Sequence, residues 1–300
     1  MAYAMGGGLL KRKGKDMAQI IDGKKISAQI KDELKVEVAA LKEQGIYPGL
    51  AVVLVGNNSA SQVYVRNKKT ACEYVGIKSF SYELPEETSE KDLLDLIDTL
   101  NQDEKVHGIL VQLPLPKHID ENKVILAISP QKDVDGFHPQ NVGALCAGLP
   151  GFVCCTPAGV IELLKRSQVD IAGKNCVVVG RSNIVGKPVS LLLLQEHGTV
   201  TICHSKTKNL TEILKQADIV VAAVGRPKMI QGEQLKNGVV VIDVGINRDE
   251  NGKLCGDVDF ESCELVASQI TPVPGGVGPM TIAMLMHNCV LAAKNKSISF

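Results

Sequence analysis

Tyr64 and Lys68 stand four residues apart in Ser61-Gln-Val-Tyr-Val-Arg-Asn-Lys-Lys69. On a helix this spacing puts phenol and amine on one face. A partly desolvated lysine titrates in a useful range, because burial disfavours its charged form, and a nearby phenol can orient it. Solvated helix faces carry the same spacing with ordinary lysines, so the pair needs company before it means chemistry. Gln112 ends the apolar run Val106-His-Gly-Ile-Leu-Val-Gln-Leu-Pro-Leu-Pro116. Open α/β sheets gather ligands at the carboxyl ends of strands, so this amide is a contact candidate; bonding to nearby backbone is the equal alternative. Asp135 lies in Asp133-Val-Asp-Gly-Phe137, where the glycine marks a sharp turn. An aspartate here closes an Asx-turn or accepts two N–H donors from an amino-heterocycle, and the local sequence alone favours the turn. Thr271-Pro-Val-Pro-Gly-Gly-Val-Gly-Pro-Met-Thr281 has too much glycine and proline for helix or central strand. It reads as a shaped loop whose Pro274, Gly275 and Gly276 let a ligand ring lie against the backbone, with a plain linker as the alternative.

A second group points to a nucleotide. Cys176-Val-Val-Val-Gly180 is a short buried strand, and Gly180-Arg-Ser-Asn-Ile-Val-Gly186 turns from it into a helix over 187–196. Gly-x5-Gly is a weak pattern by itself. Its place after a buried strand and before a helix is favourable, because amides and the helix dipole attract phosphate. A domain selecting NAD usually carries an acid at the end of its second strand. Here that strand ends His204-Ser205-Lys206, with no carboxylate. Arg181, Ser205 and Lys206 face a 2′-phosphate, so the expected cofactor is NADP. Tyr-x-x-x-Lys is also the pair of short-chain dehydrogenases, but there the glycine turn comes first; here it follows by more than a hundred residues, in another domain.

The elements that must position these groups alternate strand and helix. Ile26, Ile30, Leu34, Val38 and Leu41 predict a helix over 22–44. Strands follow at 50–56 and 78–84, and the Tyr64/Lys68 helix lies between them with Val63, Ala71 and Val75 as apolar positions. Ser89 caps a helix carrying Leu93, Leu94, Ile97 and Leu100. A helix-like segment covers 121–128. Thr156-Pro157 reads as a cap followed by proline at the first helical position, opening a helix to Ser167. Strands are expected at 199–204, 218–225 and 239–245, with 269–271 the end of another. Asn209 to Glu212 has capping-box spacing before a helix to Ala217. An apolar helix covers 282–293. This alternation predicts an α/β chain of two α/β domains, the C-terminal one a Rossmann-type doubly wound parallel sheet. The expected boundaries are 17–140 for the first domain, with a returning helix 281–295, and 141–280 for the nucleotide domain. Residues 1–16 read as a disordered extension.

Bulk properties narrow the partners. The chain has 300 residues, 45% apolar, and formal net charge zero, so nothing points to nucleic acid or a membrane surface. No apolar run approaches the ~20 residues of a membrane span. The nine cysteines form no Cys-x-x-Cys, and no Cys/His cluster has zinc spacing, so no metal is expected. They read as buried, reduced thiols of a cytoplasmic protein, with Cys154-Cys155 a minor reactive candidate.

Taken together, the motifs resemble the bifunctional methylenetetrahydrofolate dehydrogenase/methenyltetrahydrofolate cyclohydrolase family. The pieces that match are 61–68, 108–116, 132–137, 179–188, Val244-Gly-Ile-Asn247 and 272–281, in family order, over roughly residues 18–295. The resemblance implies a folate cleft between the domains and a homodimer. It implies Lys68 as general acid/base, Tyr64 and Gln112 tuning or placing it, and Asp135 holding the pterin. Gly180, Arg181, Ser182, Gly186, Ser205 and Ile246 would meet the nucleotide, and residues 272–279 would line the cleft. Two rival readings are a two-domain dehydrogenase of another small acid, in which Tyr64, Gln112 and Asp135 would have no reason to accompany the 272–279 loop, and an NADP-binding sensor without activity, against which Lys68 with Gln112 and Asp135 weighs.

Overall fold

The computed structural model describes residues 17–294; the expectations for residues 1–16 and 295 lie outside them. The first elements are β1 (Gln19–Ile20), α1 (Gly23–Glu43), β2 (Gly49–Val55), α2 (Ser59–Val75), β3 (Lys78–Leu84), α3 (Glu90–Gln102), β4 (Gly108–Val111), α4 (Glu121–Ala127) and α5 (Pro139–Ala147). Then come α6 (Cys155–Arg166), β5 (Asn175–Val179), α7 (Gly186–Gln195), β6 (Thr199–Cys203), α8 (Leu210–Leu214) and β7 (Ile219–Ala222). β8 (Val240–Asp243), β9 (Asn247–Arg248), β10 (Leu254–Cys255), α9 (Phe260–Glu264), β11 (Gln269–Ile270) and α10 (Val277–Lys294) complete the chain. A three-stranded parallel sheet has the order β3-β2-β4. A six-stranded parallel sheet has the order β1-β11-β8-β7-β5-β6. The chain thus builds two α/β units, as the alternation predicts.

Strand β2 is buried along its whole length. Leu50, Val52 and Leu54 face a core with α1, α2 and α10; Ala51, Val53 and Val55 face another under α3 and α4. Apolar strands covered on both faces are what a parallel sheet requires. Asp22 caps α1 by accepting from the Lys25 amide, and all five predicted apolar positions of that helix are buried. Each such side chain contributes about 1.5–3 kcal/mol of transfer free energy. α10 is apolar nearly all round, as a helix between two layers must be. It packs on α1 and α6, and one core runs from Leu50 of β2 past α10 to Val178 of β5.

In chain order, the strands β6-β5-β7-β8-β11 read 2-1-3-4-5, so the order reverses between β5 and β7. That reversal is where doubly wound sheets bind ligands. Val179 is in register with Cys203 and Ala222, and Ala222 with Asp243, so four carboxyl ends form one row.

Several local expectations give way. β1 joins the far edge of the six-stranded sheet beside β11, although its position in sequence placed it with the first unit. α5 runs across the expected 140/141 domain boundary; Pro139 opens it, and the His138 ring accepts from the Gln140 amide. α6 starts at Cys155, so Pro157 is its third residue, and Thr156 pairs with the Thr281 hydroxyl at 2.8 Å instead of capping. Asn209 adopts a left-handed φ of 55° and makes no side-chain cap. Val63 is 45% exposed, and the buried face of α2 is Ser61, Val65, Lys68, Ala71, Cys72 and Val75, so of the three predicted apolar positions Ala71 and Val75 face inward. Among the described residues, no helix is long and apolar enough to cross a membrane.

Candidate active site

Asn58 starts α2 by accepting from the Ser61 amide at 3.0 Å. The helix then carries Lys68 on its inward face, 8% exposed. Lys68 Nζ donates to Gln112 Oε1 at 3.0 Å, and Gln112 Nε2 donates to the Leu113 carbonyl at 2.7 Å. The second bond decides which end of the amide meets the lysine. Gln112 follows directly on β4, and its own amide donates to Val53 of β2. Burial holds Lys68 below the ordinary lysine pKa, while the charge of Asp135 pulls it part of the way back. Desolvation pushes Asp135 up to about 6, against the pull of Lys68.

Of the two aspartates in the turn, Asp133 does the folding. It accepts from the amides of Phe137 and His138 at 3.3 and 2.8 Å and from Asn141 Nδ2 at 2.9 Å. This leaves Asp135 to act on Lys68. Asn288 of α10 braces the turn from behind, donating to the carbonyls of Val134 and Val153 at 2.9 and 3.0 Å. Sequence reasoning missed Asn288; a lone amide in an apolar helix was the available signal. Burial raises the Cys154 thiol to about 12 and pushes Cys155 well above the ordinary thiol value, which disfavours the reactive thiolate at both.

One turn before Lys68, Tyr64 is 42% exposed on the wall of a cleft of about 810 Å³. Ile246, Pro274, Gly275 and Gly276 share that wall, as do Lys24 and Lys31 of α1, which the sequence did not single out. The Gly275 carbonyl accepts from the Lys24 amide at 3.1 Å, tying the loop to the start of α1. Lys68, Gln112 and Asp135 lie off this wall, on the inward side of α2.

The nucleotide turn sits at the row of strand ends. Gly180 has φ 135°, and a Cβ there would lie 2.1 Å from the Ala223 carbonyl oxygen, so only glycine lets β5 and β7 close at their ends. Ser182 Oγ accepts from the amides of Val185 and Gly186 at 3.2 and 3.3 Å, shaping the entry to α7. Arg181, Ser205 and Lys206 are exposed at the ends of β5 and β6. A glycine-closed switch point, a helix start and two cations without a carboxylate fit a dinucleotide bearing a 2′-phosphate.

Residues 21–135 match the model of the tetrahydrofolate dehydrogenase/cyclohydrolase catalytic domain, and residues 154–297 match that family's NAD(P)-binding domain. The chain belongs to the tetrahydrofolate dehydrogenase/cyclohydrolase family. It is 68% identical over 278 residues to the bifunctional protein FolD of Agathobacter rectalis, covering 93% of this chain and all of the relative. It is similar to the crystal structure of the bifunctional FolD enzyme of Campylobacter jejuni, with 54% identity, TM-score 0.91, and 93% and 99% of the two chains covered. A Trypanosoma brucei methylenetetrahydrofolate dehydrogenase-cyclohydrolase, solved with NADP cofactor and inhibitor, is 41% identical with TM-score 0.90, over 95% of this chain and 100% of that one. The first matched domain holds the three-stranded sheet and the second holds five strands of the six-stranded one, with β1 outside both, and the cleft wall takes residues from both domains.

Proposed function

We propose that this family member oxidises 5,10-methylenetetrahydrofolate to 5,10-methenyltetrahydrofolate with NADP, then hydrolyses the product to 10-formyltetrahydrofolate. The carrying observation is Lys68, buried, bonded to Gln112 and under the charge of Asp135, behind a cleft whose far wall belongs to the nucleotide unit. NADP, when bound, supplies the hydride acceptor. The oxidation moves no proton, so the chain's task there is placement. Asp135 accepts N–H donors of the pterin, Tyr64 covers the bound ring, and Pro274, Gly275 and Gly276 line the space beside it. Gly180, Arg181, Ser182, Gly186, Ser205 and Ile246 hold the nucleotide, with Arg181 and Ser205 on its 2′-phosphate.

Hydrolysis needs a group that takes a proton from water and returns one to the leaving nitrogen. Lys68 does both, because burial brings its neutral form within reach and Gln112 fixes where its hydrogens point. The methenyl cation beside it lowers its proton affinity further.

The finer organisation follows from the same reading. The catalytic domain spans 21–140 with the returning helix α10, and the nucleotide domain 141–276 with the edge strand β1. The enzyme works as a cytoplasmic homodimer; the free edge of β6, with Ile202 43% exposed and Leu194 of α7 59% exposed, supports a second copy there. One assay tests the function. Methylenetetrahydrofolate and NADP are mixed with the protein, and methenyl absorbance is expected to rise and then decay faster than spontaneous hydrolysis. No rise overturns the dehydrogenase reading, and decay at the spontaneous rate overturns the cyclohydrolase reading.

A further inference from the structure

Two buried carboxylates remain unused by the chemistry above. Asp243, 2% exposed, ends β8; Asp257, 0% exposed, follows the β9–β10 hairpin. Asp243 accepts from the amides of Gly245 and Asp257, both at 2.9 Å, and of Val258 at 3.1 Å. Asp257 accepts from the amides of Val224, Gly225 and Arg226 at 2.6, 3.1 and 2.9 Å, and from Asn247 Nδ2 at 2.9 Å. Seven donors thus converge on two carboxylates, and bonds of this charged kind are the strong ones. The packing leaves no slack. A Cβ on Gly256 would lie 1.8 Å from Asp243 Oδ2, and one on Gly245 would lie 2.4 Å from the Asp257 carboxylate.

The segments so held are specific. The loop after β7, 223–226, borders the switch point, where Ala223 meets Gly180. The loop after β8 carries Val244, Gly245 and Ile246 on the cleft wall. Asp257 therefore clamps the nucleotide side of the cleft, and nothing in its contacts reaches Lys68, Gln112 or Asp135.

We infer that Asp243 and Asp257 form a positioning clip for the hydride-transfer half of the reaction alone, setting the nucleotide-side loops against the cleft without serving the hydrolysis step. The inference rests on the proposed function, in which only the first step uses a nucleotide. Loss of the clip separates the two activities from the nucleotide side.

Asp257→Asn tests it, because the amide keeps the size of the carboxylate but turns an N–H donor toward the loop amides. Dehydrogenase kcat/KM is expected to fall at least tenfold, with a raised KM for NADP. NADP affinity measured by titration without folate falls at least tenfold. Hydrolysis of added methenyl substrate without nucleotide stays within twofold of wild type. Loss of both activities in proportion, or no change in NADP affinity, overturns the clip. If Asp257→Asn does not fold, Asp243→Asn is measured the same way. Hydrogen exchange of the wild-type protein gives a third reading: the amides of residues 224–226 are expected to be protected, and exchange at open-loop rates overturns the clip. If wild type lacks both activities, the functional reading fails, and the NADP titration still decides the clip.

Discussion

A lysine works as both acid and base only when its neutral form is accessible, and burial shifts Lys68 in that direction. Lys68→Gln keeps the length and hydrogen bonding but cannot carry the proton. Cyclohydrolase activity is expected to fall roughly 10²–10⁴-fold, the usual contribution of a general acid/base, while the dehydrogenase loses far less and methenyl product accumulates. A mutant that hydrolyses added methenyl substrate at the wild-type rate would show that the proton moves elsewhere. Asp135 has the opposite sign. Its folded pKa, about 6, lies above the ordinary carboxylate value, so the folded protein binds its proton more tightly than the unfolded chain. Stability from this group therefore falls as pH rises from about 4 to 6. Its acceptor capacity for the pterin is complete only above that range. The KM for folate is thus expected to rise as pH drops through about 6. Asp135→Asn should flatten that limb, lower both activities, and raise the melting temperature at pH 7. A mutant with wild-type KM and an unchanged pH profile would remove Asp135 from the site. The candidate residues drew notice only as a set of motifs in family order, since each alone has an ordinary reading as a helix face, a backbone-bonding amide or an Asx-turn. The division of labour between Asp133 and Asp135 was not, since Asn141 and the amide of His138, further along the chain, decide it.

Long elements announce themselves. The spacing of Ile26 to Leu41 and the unbroken apolar run of β2 fix α1 and a buried strand from sequence alone. Two-residue strands such as β1 and β11 are too short to show a period, and caps such as Thr156 depend on a partner 125 residues away. The Asp243–Asp257 pairing is invisible for the same reason: the hairpin that joins them has no local pattern. α10 gives the prediction at this scale. Asn288 is its buried amide, holding two carbonyls on segments far apart in sequence. Asn288→Leu takes the amide donor from the Val153 carbonyl, at a cost of about 1–3 kcal/mol, and leaves the Val134 carbonyl only the weaker Cys155 thiol. The urea midpoint is expected to drop with an unchanged slope, and the KM for folate to rise because the turn carrying Asp135 loosens. A lower midpoint with an unchanged KM would confine Asn288 to stability.

At the scale of the whole molecule, the exposed edge of β6 is where a second copy would pair. Ile202→Asp puts a charge on that edge, and light scattering is expected to give the mass of one chain where wild type gives two. A wild-type protein that is already monomeric at micromolar concentration would retire the dimer. The other edge of that sheet has a different history. Gln19 and Ile20 pair with Gln269 and Ile270, so about 250 residues of synthesis separate the first described strand from its partner. On the ribosome the six-stranded sheet cannot be finished before β11 has emerged, and β1 waits unpaired until then. A chain shortened past Ile20 is expected to keep its first sheet and to leave β11 as a bare margin, open to recruitment by a neighbouring nascent chain.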